Sequence, residues 1–562
     1  MAYFLKVSKQ QTRTYLSIYE SFYSDETKGT KHKCYKHLGN IEKLKKEGIE
    51  DPIAYYKEEV KKLNEEKSAE KRGKKIRQIT EKTPVKLLGY FPLANIMNAL
   101  DVEQHFDLMQ SNRKFDFNVF KIFSSLVYAR VVAPCSKSKT FHDVLPNLVE
   151  EIDFSYDQIL KAIEFVGADY KRFVEIFTEA TKENFGINTS TTYFDCTDFY
   201  FEIDRESGLK QKGPCKHNSR NPIVGMGLLL DKNMLPVGMK IYPGNESEKP
   251  VIRDVINDLK SQNKISGRTV QVADKGLNCS RNIIEAVNAG DGYLFSKSVR
   301  MLPQTEKDWV LIDKGYEDVL DKDGHLLYKF KECCDEYTYE YTDDNGKKYT
   351  RKVKEKRVVT YNPSLAAKRK AEIQKLADKA QNLVYSKAKK SEAGPASTYI
   401  NFLNENGEKA SVSLNQEAIN KDLDVAGFNM LVTSEITMSA KDIYNTYHNL
   451  WRIEETFRTM KTELEARPVY LQKDDRIKGH FLICYVSVLL TRIFQFNKLK
   501  NEFGTQEICE FFRTFTIVKS DNGKFLNISK RTRMFEKIAA ISNQPILNYY
   551  LTTKQVKRML TR

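Results

Sequence analysis

The chain of 562 residues is too long for one hydrophobic core and predicts about two to four domains. Its 91 Lys and Arg residues exceed its 75 Asp and Glu residues, and the formal net charge of +16 favours a polyanionic partner. Nucleic acid is the usual partner, although an acidic membrane surface would attract the same charge. The nine cysteines form no CxxC motif and no Cys/His cluster with zinc-finger spacing, which argues against a disulfide framework and structural zinc.

The apolar segments are too short for a signal peptide or a bilayer span. The N-terminal segment MAYFLKVSKQQTRTYL has no apolar core, and the best apolar run, Phe481 to Leu490, has about half the length that a span needs. We therefore expect a cytoplasmic protein that does not bind a membrane.

The first third of the chain divides by its hydrophobic period. Residues 1–50 alternate aromatic or β-branched residues with polar ones, which predicts a small β-hairpin or meander module. Residues 51–185 start with a charged stretch and continue with apolar residues at the 3.6-residue period, which predicts a helical domain. The basic run 70–77, EKRGKKIR, is either a solvated linker or a strip that follows a phosphate backbone.

From residue 190 the hydrophobic period becomes two. Strand candidates at 191–203, 223–231 and 235–244 are followed by helix, strand, helix and strand. This order predicts a mixed α/β sheet with helices on its faces, formed by residues 190–300 and 425–500. Residues 301–424 predict a β-rich insertion with one charged helix, and residues 501–562 predict a C-terminal helical segment.

Two aspartates interrupt strands that are otherwise apolar. Asp195 lies inside the first strand, in YFDCTD, and Asp274 ends the fourth, in VQVADKG. A carboxylate there is costly unless hydrogen bonds, a basic partner or a metal compensates it, although a lone strand-end aspartate usually forms a turn or a cap. Asp198 competes with Asp195, but the two point to opposite faces, so only one can join Asp274. We choose Asp195 because its position is more central and more apolar.

The segment YHNLWRIEETFRTMK predicts one helix on which Tyr447, Glu454 and Lys461 are seven residues apart. Seven steps of about 100° come within about 20° of two full turns, so the three side chains would share a face. A carboxylate between a phenol and an ammonium suits a cation that meets a phosphate. The alternative is an amphipathic helix whose Glu454 pairs with Arg458.

The three acids together predict a metal site. Asp195, Asp274 and Glu454 are hard oxygen ligands, and they could hold two Mg²⁺ ions about 3.5 to 4 Å apart, the geometry of phosphoryl-transfer enzymes.

The motifs YFDCTDFYFE, VADKGL and Y-x6-E-x6-K with WRIEETFR resemble those of the DDE transposases of bacterial insertion sequences. The third motif is most similar to the branch that carries Tyr, Arg, Glu and Lys and has a β-rich insertion before the Glu. In this chain Leu450 stands where that branch has the Arg, and Arg452 is the candidate to replace it.

The resemblance implies a ribonuclease-H-like mixed-sheet catalytic core with a β-rich insertion, joined to the small β module and the helical domains. It implies cut-and-paste transposition, in which transposon ends are cleaved and the 3′-OH is joined to target DNA. A homodimer would hold the terminal inverted repeats, recognised by residues 51–185, and would be nucleoid-associated when bound to DNA. The implied catalytic metal ligands, for two Mg²⁺ that Mn²⁺ can replace, are Asp195, Asp274 and Glu454; the implied nucleic-acid contacts are Tyr447, Arg452, Arg458 and Lys461.

Other interpretations stay open. A ribonuclease-H-like DNA nuclease without strand transfer would carry the same acids, a domesticated DNA-binding protein would keep the fold, and charge alone fits an RNA- or ribosome-associated protein. His217 and His480 could be ligands or general acids, although a lone histidine is more often a surface or packing residue. Trp451 could stack on an unpaired base, although packing onto the sheet is the more common role.

Overall fold

The computed structural model divides the chain into two compact units, Met1–Thr83 and Pro84–Arg562. The side chains of the basic run 70–77, and all of His217, lie outside the described residues. The described residues are 2–10, 12–24, 29–75, 83–150, 152–202, 204–214, 221–261, 267–384, 394–402, 412–520 and 523–561.

The first unit is a three-stranded antiparallel sheet, in the order β1-β2-β3, with two helices. Leu16 and Ile18 of its central strand are fully buried. Two hydrogen bonds join the longer helix to β1. The Asn64 side chain accepts one from the Tyr3 N–H at 2.7 Å and donates one to the Tyr3 carbonyl at 2.9 Å. The elements are β1 (Tyr3–Gln10), β2 (Arg13–Ser24), β3 (Gly29–Asn40) and the helices Ile41–Lys46 and Pro52–Lys75.

The second unit contains fifteen strands among its described residues, nine of which form one large sheet. They are β4 (Val85–Leu87), β5 (Thr191–Tyr200), β6 (Ile223–Leu230), β7 (Pro236–Pro243), β8 (Val270–Ala273), β9 (Gly292–Lys297), β10 (Glu317–Leu320), β11 (Leu326–Thr342), β12 (Lys348–Tyr361), β13 (Ile400–Phe402), β14 (Val412–Leu414), β15 (Phe428–Thr433), β16 (Thr516–Lys519), β17 (Lys524–Asn527) and β18 (Tyr550–Thr552).

The large sheet has the order β10-β11-β12-β15-β9-β8-β5-β6-β7. Its centre is parallel, because β8 pairs in parallel with both β5 and β9, and every other pairing is antiparallel. The mixed α/β sheet predicted from the sequence is therefore confirmed.

Helices cover both faces of this sheet, which gives three layers. One face packs against helices Val251–Ser261 and Ser280–Asn288 in a core that includes Phe194 and Ile283. The other packs against a helical layer in a larger core that includes Tyr193. The α-helices of the unit are Phe91–Leu100, Glu103–Gln110, Val119–Val132, Lys137–Lys139, Tyr156–Ala168, Tyr170–Phe185, Val251–Ser261, Ser280–Asn288, Gln304–Leu311, Pro363–Val384, Gln416–Asp424, Ala440–His448, Trp451–Arg458, Asp474–Ile493, Thr505–Thr514, Arg533–Ser542 and Thr553–Leu560.

Helix Asp474–Ile493, here called the central helix, runs through the larger core. With the turn that follows it, Asp474–Lys498 is long and apolar enough to cross a membrane, but 94% of its apolar window is buried inside the protein, as in the core helix of a globular fold. The central helix crosses helix Tyr156–Ala168 very closely. A Cβ at Gly167 would lie 1.7 Å from the Asp475 carbonyl oxygen, so only glycine allows this approach.

The strands between residues 317 and 361 fall within the predicted β-rich insertion, residues 301–424. In the structure β10, β11 and β12 extend the core sheet, because β12 pairs with β15 along its edge. Residues 362–427, here called the excursion, leave the sheet after β12 and return to it at β15. A hydrogen bond from the Asn362 N–H to the Gly427 carbonyl (3.1 Å) closes the base of this segment. This excursion has its own small core around Ile373 and Tyr399.

The C-terminal segment contains strands that the sequence pattern missed. β16, β17 and β18 join β4 in a four-stranded sheet of order β18-β17-β16-β4. Each of these strands has only three or four residues, too few for a period of two to be recognised.

Candidate active site

The two predicted aspartates occupy neighbouring positions on parallel strands. The register pairs Phe194 of β5 with Ala273 of β8, so Asp195 and Asp274 are the next residues on adjacent strands. Adjacent strands lie about 4.8 Å apart, which brings the two carboxylates side by side. Asp274 follows four buried residues, and both aspartates are themselves half-buried.

Ser296 was missed from the sequence, although it follows the same register. Ala273 pairs with Phe295 of β9, so Ser296 is the neighbour of Asp274 on the other side. Its hydroxyl donates to Asp274 Oδ1 at 2.8 Å. The signal available in the sequence was only a serine within the apolar strand YLFSK, since the pairing that makes it the neighbour of Asp274 is visible in the structure alone.

The predicted single helix from Tyr447 to Lys461 is wrong. One helix ends at His448, a second runs from Trp451 to Arg458, and a π-helical turn spans Thr459–Glu463. The break is tight, since the Leu450 N–H donates to the Tyr447 carbonyl (3.0 Å) three residues back. A constant 100° step therefore does not relate the three side chains, and each is positioned by its own segment.

Tyr447 connects this segment to the aspartates. Its hydroxyl donates to Asp274 Oδ1 at 2.9 Å, the same oxygen that receives the Ser296 hydroxyl. Burial raises the pKa of the Tyr447 phenol, and the negative charges of Asp274 and Glu454 raise it further. The phenol therefore remains a neutral donor at any physiological pH, and Glu454 is close enough to act on it.

Glu454 is placed by contacts on both sides of it. The Tyr193 side chain of β5 interacts with Asn449, and Lys461 donates to the Thr197 hydroxyl, so the helix runs alongside β5. Tyr193, Asp195 and Thr197 alternate onto the same face of β5. Glu454 thus lies on a helix that runs along the face to which Asp195 points.

The charges of Asp274 and Glu454 have no cationic partner among the residues that the structure describes. Glu454 is exposed, and neither it nor Asp274 forms an ion pair with a lysine or arginine in the part of the chain that the structure describes. The alternative pair of Glu454 with Arg458 is therefore not formed. Like charges gathered without a cation favour binding of one from solution.

Asp198 has a different environment from Asp195. Its side chain is buried, 4% exposed, and its Oδ1 lies 3.9 Å from Lys461 Nζ. The same ammonium lies 5.3 Å from the centre of the Phe199 ring. Lys461 is therefore fixed at the end of β5 next to the acid that competed with Asp195.

The predicted arginines lie on the helix of Glu454. The Arg452 guanidinium stacks 3.9 Å from the centre of the Trp451 ring and contacts Glu455, whereas Arg458 is exposed. The expectation that Trp451 packs onto the sheet is wrong, because its side chain is 45% exposed. Leu450 is 6% exposed, so the family position of the arginine is a packing position here.

The donor set suits a hard divalent cation. Three carboxylates are available, and the sheet register directs two of them. All of these candidate ligands are oxygen atoms, with no sulfur or nitrogen among them, and Mg²⁺ and Mn²⁺ prefer oxygen ligands. Their oxygens are not all within 4.8 Å of one another. Among the described residues only Asp321, Asp323 and His325, in the β10–β11 turn, form a group that tight.

The fold and the site define an α/β protein with an acidic site. Two aspartates come from parallel strands of the mixed sheet, and a glutamate lies on the helix beside them. Residues 195–490, just over half of the chain, match the family described as the transposase DDE domain. The chain therefore belongs to this family and is a transposase, a class that acts on DNA and generally uses divalent metals. No curated protein matches the sequence.

Proposed function

We propose that Asp195, Asp274 and Glu454 form the catalytic centre of a ribonuclease-H-like core that cleaves transposon ends and joins the 3′-OH to target DNA. The observation that carries the proposal is the register of β5 and β8, which sets the two aspartates side by side. The succession of three antiparallel strands and two parallel ones, in the order β7-β6-β5-β8-β9, supports the ribonuclease-H-like interpretation. The branch with a Tyr-Arg-Glu-Lys motif remains part of this proposal.

The three carboxylates would hold two Mg²⁺ ions, which Mn²⁺ can replace. When bound, these ions supply activation of the attacking water or 3′-OH and stabilisation of the leaving 3′ oxygen. The protein's own contribution is to direct the carboxylates. Two neutral hydroxyls, from Ser296 and Tyr447, hold one oxygen of Asp274 without neutralising its charge.

The structure modifies the proposed role of Tyr447. A phenol has one proton, and here it is donated to Asp274, so we assign Tyr447 to orienting that carboxylate rather than to binding phosphate. Lys461 donates to the Thr197 hydroxyl at the end of β5, on the same strand as Asp195. Lys461, Arg452 and the exposed Arg458 therefore remain the candidates for phosphate contacts.

Replacing Tyr447 with phenylalanine should lower the cleavage rate about 10-fold, because one hydrogen bond to a charged group is lost. The shape of the pH profile between about 6 and 9 should not change, since the raised pKa of Tyr447 keeps the phenol protonated throughout. Single-turnover cleavage rates across this range test both statements, with exposed Tyr549→Phe as the matched control. A wild-type rate, or a shifted pH profile, would show that Tyr447 has another role.

We further propose the partners of the reaction. The terminal inverted repeats and the target DNA are the substrates, and a homodimer holds the two ends. The helical region up to residue 185 is the candidate for recognition of the ends, and the surplus of 91 basic over 75 acidic residues favours DNA as its ligand. Nucleoid association in a bacterial cytoplasm would follow from DNA binding.

The decisive experiment maps the reaction products. Purified protein, a DNA fragment bearing the inverted repeats that flank the gene, a supercoiled target and Mg²⁺ should yield cut ends and DNA joined to the target. EDTA should prevent both. Cut ends without joined DNA would favour the ribonuclease-H-like nuclease, and specific binding with no cutting in Mg²⁺ or Mn²⁺ would favour a domesticated DNA-binding protein.

A further inference from the structure

A cavity of about 520 Å³ lies at the carboxyl end of helix Val119–Val132, between the segment that follows it and the loop before the central helix. Three basic side chains line it and are more than nine-tenths buried. Arg130 is 4% exposed, Lys137 6% and His480 5%. None of the three takes part in the candidate active site, and cations are rarely buried this deeply without a partner.

The hydrogen bonds of these side chains are incomplete. Arg130 Nη1 donates to the Leu464 carbonyl at 3.3 Å, but its buried Nε has no partner. His480 Nε2 contacts the Ala466 carbonyl at 3.1 Å, but its buried Nδ1 has none. Within the described residues, no carboxylate forms an ion pair with Arg130, Lys137 or His480.

This arrangement is costly in the free protein. Burial holds the pKa of Lys137 well below its usual range, and the nearby Arg130 charge lowers it further. Burial likewise lowers the pKa of His480, with further contributions from Lys137 and Arg130. Burying polar groups without partners is unfavourable, so a cluster of this kind is expected where a ligand of opposite charge completes it.

The rim of the cavity suits an oxyanion. Lys139 and Arg467 add two further cations, and Ser136 and Ser138 add hydroxyls. Glu465 is the acid among the lining residues, and it is exposed. Ammonium, guanidinium and hydroxyl donors around one cavity are the set that binds phosphate oxygens.

The rim of the cavity contacts the end of the strand that carries Asp195. The Val469 N–H at its edge reaches the Tyr200 carbonyl at 3.5 Å, and the Arg467 guanidinium lies 5.5 Å from the centre of the Tyr200 ring. Tyr200 ends β5, five residues beyond Asp195, which corresponds to about 17 Å. One strand of B-DNA carries a phosphate every 3.4 Å along its axis, so a duplex aligned with β5 would span this length with about five base pairs.

We propose that this cavity binds one backbone phosphate of the DNA substrate, about five base pairs from the bond that is cut. The proposal rests on the proposed function for the position of that bond. Arg130 and Lys137 donate to the phosphate, and His480 takes up a proton from solvent as the anion enters, which turns its Nδ1 from an acceptor into a donor. Lys139 and Arg467 guide the strand into the cavity. Binding there fixes the register of the DNA relative to Asp195.

The test replaces single phosphates of a transposon-end duplex with neutral methylphosphonates, in binding experiments without divalent metal. For the wild type, one position about five base pairs from the cut should lose about 10-fold or more in affinity. For Lys137→Met the same substitution should cost less than about 3-fold, because the two changes remove one interaction. The salt dependence of log K for Lys137→Met should be shallower by about 0.9.

Stability separates a binding role from a structural one. Lys137→Met should leave the free protein at least as stable as the wild type, because it removes a buried amine whose pKa is lowered by burial and which has no carboxylate partner among the described residues. The matched control is Lys537→Met, a surface lysine paired with Glu502, which should leave the affinity and the methylphosphonate pattern unchanged. Should Lys137→Met fail to fold, His480→Gln together with the wild-type scan gives the same comparison.

Each result has a defined meaning. No position-dependent loss in the wild type, or an undiminished loss in Lys137→Met and His480→Gln, overturns the proposal. Protection of the wild type by inorganic phosphate without any methylphosphonate effect would assign the cavity to a free anion and also overturns it. Because binding is measured without metal, failure of the cleavage proposal appears separately, as normal DNA binding without cutting.

Discussion

Asp195→Asn, Asp274→Asn and Glu454→Gln should each lower DNA cleavage at least about 1000-fold. Each amide keeps the shape of the side chain but removes the charge that binds a divalent cation, and metal ions contribute several kcal/mol of charge stabilisation to phosphoryl transfer. Cleavage and joining should fail together, because the same centre would serve both steps. Single-turnover reactions on a transposon-end duplex, in Mg²⁺ and in Mn²⁺, measure the effect.

The control separates chemistry from folding and binding. The affinity of the three variants for the DNA end should stay within about 3-fold of the wild type, since other parts of the chain supply most of the phosphate contacts. Asp258→Asn, a half-exposed acid on helix Val251–Ser261, should cut normally. If Asp195→Asn still cuts at the wild-type rate, while Asp198→Asn does not, the first acid of the site has been misassigned.

Arg492→Met should destabilise the second unit by about 3 kcal/mol. The Arg492 guanidinium is 1% exposed and joins three helices through hydrogen bonds to Gln495 Oε1 (2.6 Å), Thr505 Oγ1 (3.2 Å) and Thr456 Oγ1 (3.2 Å). It also lies 3.5 Å from Glu455 Oε2, next to Glu454. Methionine fills much of the space but leaves these acceptors unpaired, and breaking a buried pair in this way costs about 3 to 5 kcal/mol.

The second readout of Arg492→Met is local. The helix Trp451–Arg458 should loosen, which lowers cleavage because Glu454 is no longer held beside the sheet. Urea unfolding followed by tryptophan fluorescence reports on the stability of the unit and on this helix, since Trp451 lies on the helix and Trp309 is the other tryptophan. Single-turnover reactions measure the loss of cleavage. Glu455→Met in the Arg492→Met background should cost much less than in the wild type. Strictly additive losses would show that the pair does not anchor the helix.

Much of the candidate site could be predicted from local sequence alone. Asp195 and Asp274 stand out because a carboxylate in a run of apolar strand residues is unfavourable without compensation. The alternation of strand and helix from residue 191 to 297 predicts the mixed sheet for the same local reason, since side-chain period follows backbone geometry.

The segment from Tyr447 to Lys461 marks where local pattern was insufficient. A seven-residue spacing assumes an unbroken helix, but the helical hydrogen bonding tightens at the buried Leu450 and the helix is interrupted there. Tyr447 contacts Asp274, and Lys461 contacts Thr197. Packing of distant residues decided this break. Likewise, no sequence motif identifies the residues that Ser296 and Arg492 contact.

The sequence by itself determined which residues are acidic, the longer strands of the core sheet, and the transposase family to which the chain belongs. Only the tertiary structure decided that β12 joins the core sheet, that Tyr447 contacts Asp274, and that Arg130, Lys137 and His480 share a cavity. The reason is physical. Strand and helix preferences depend on neighbours a few residues away, whereas register, burial and the meeting of charges 350 residues apart depend on how the whole core packs.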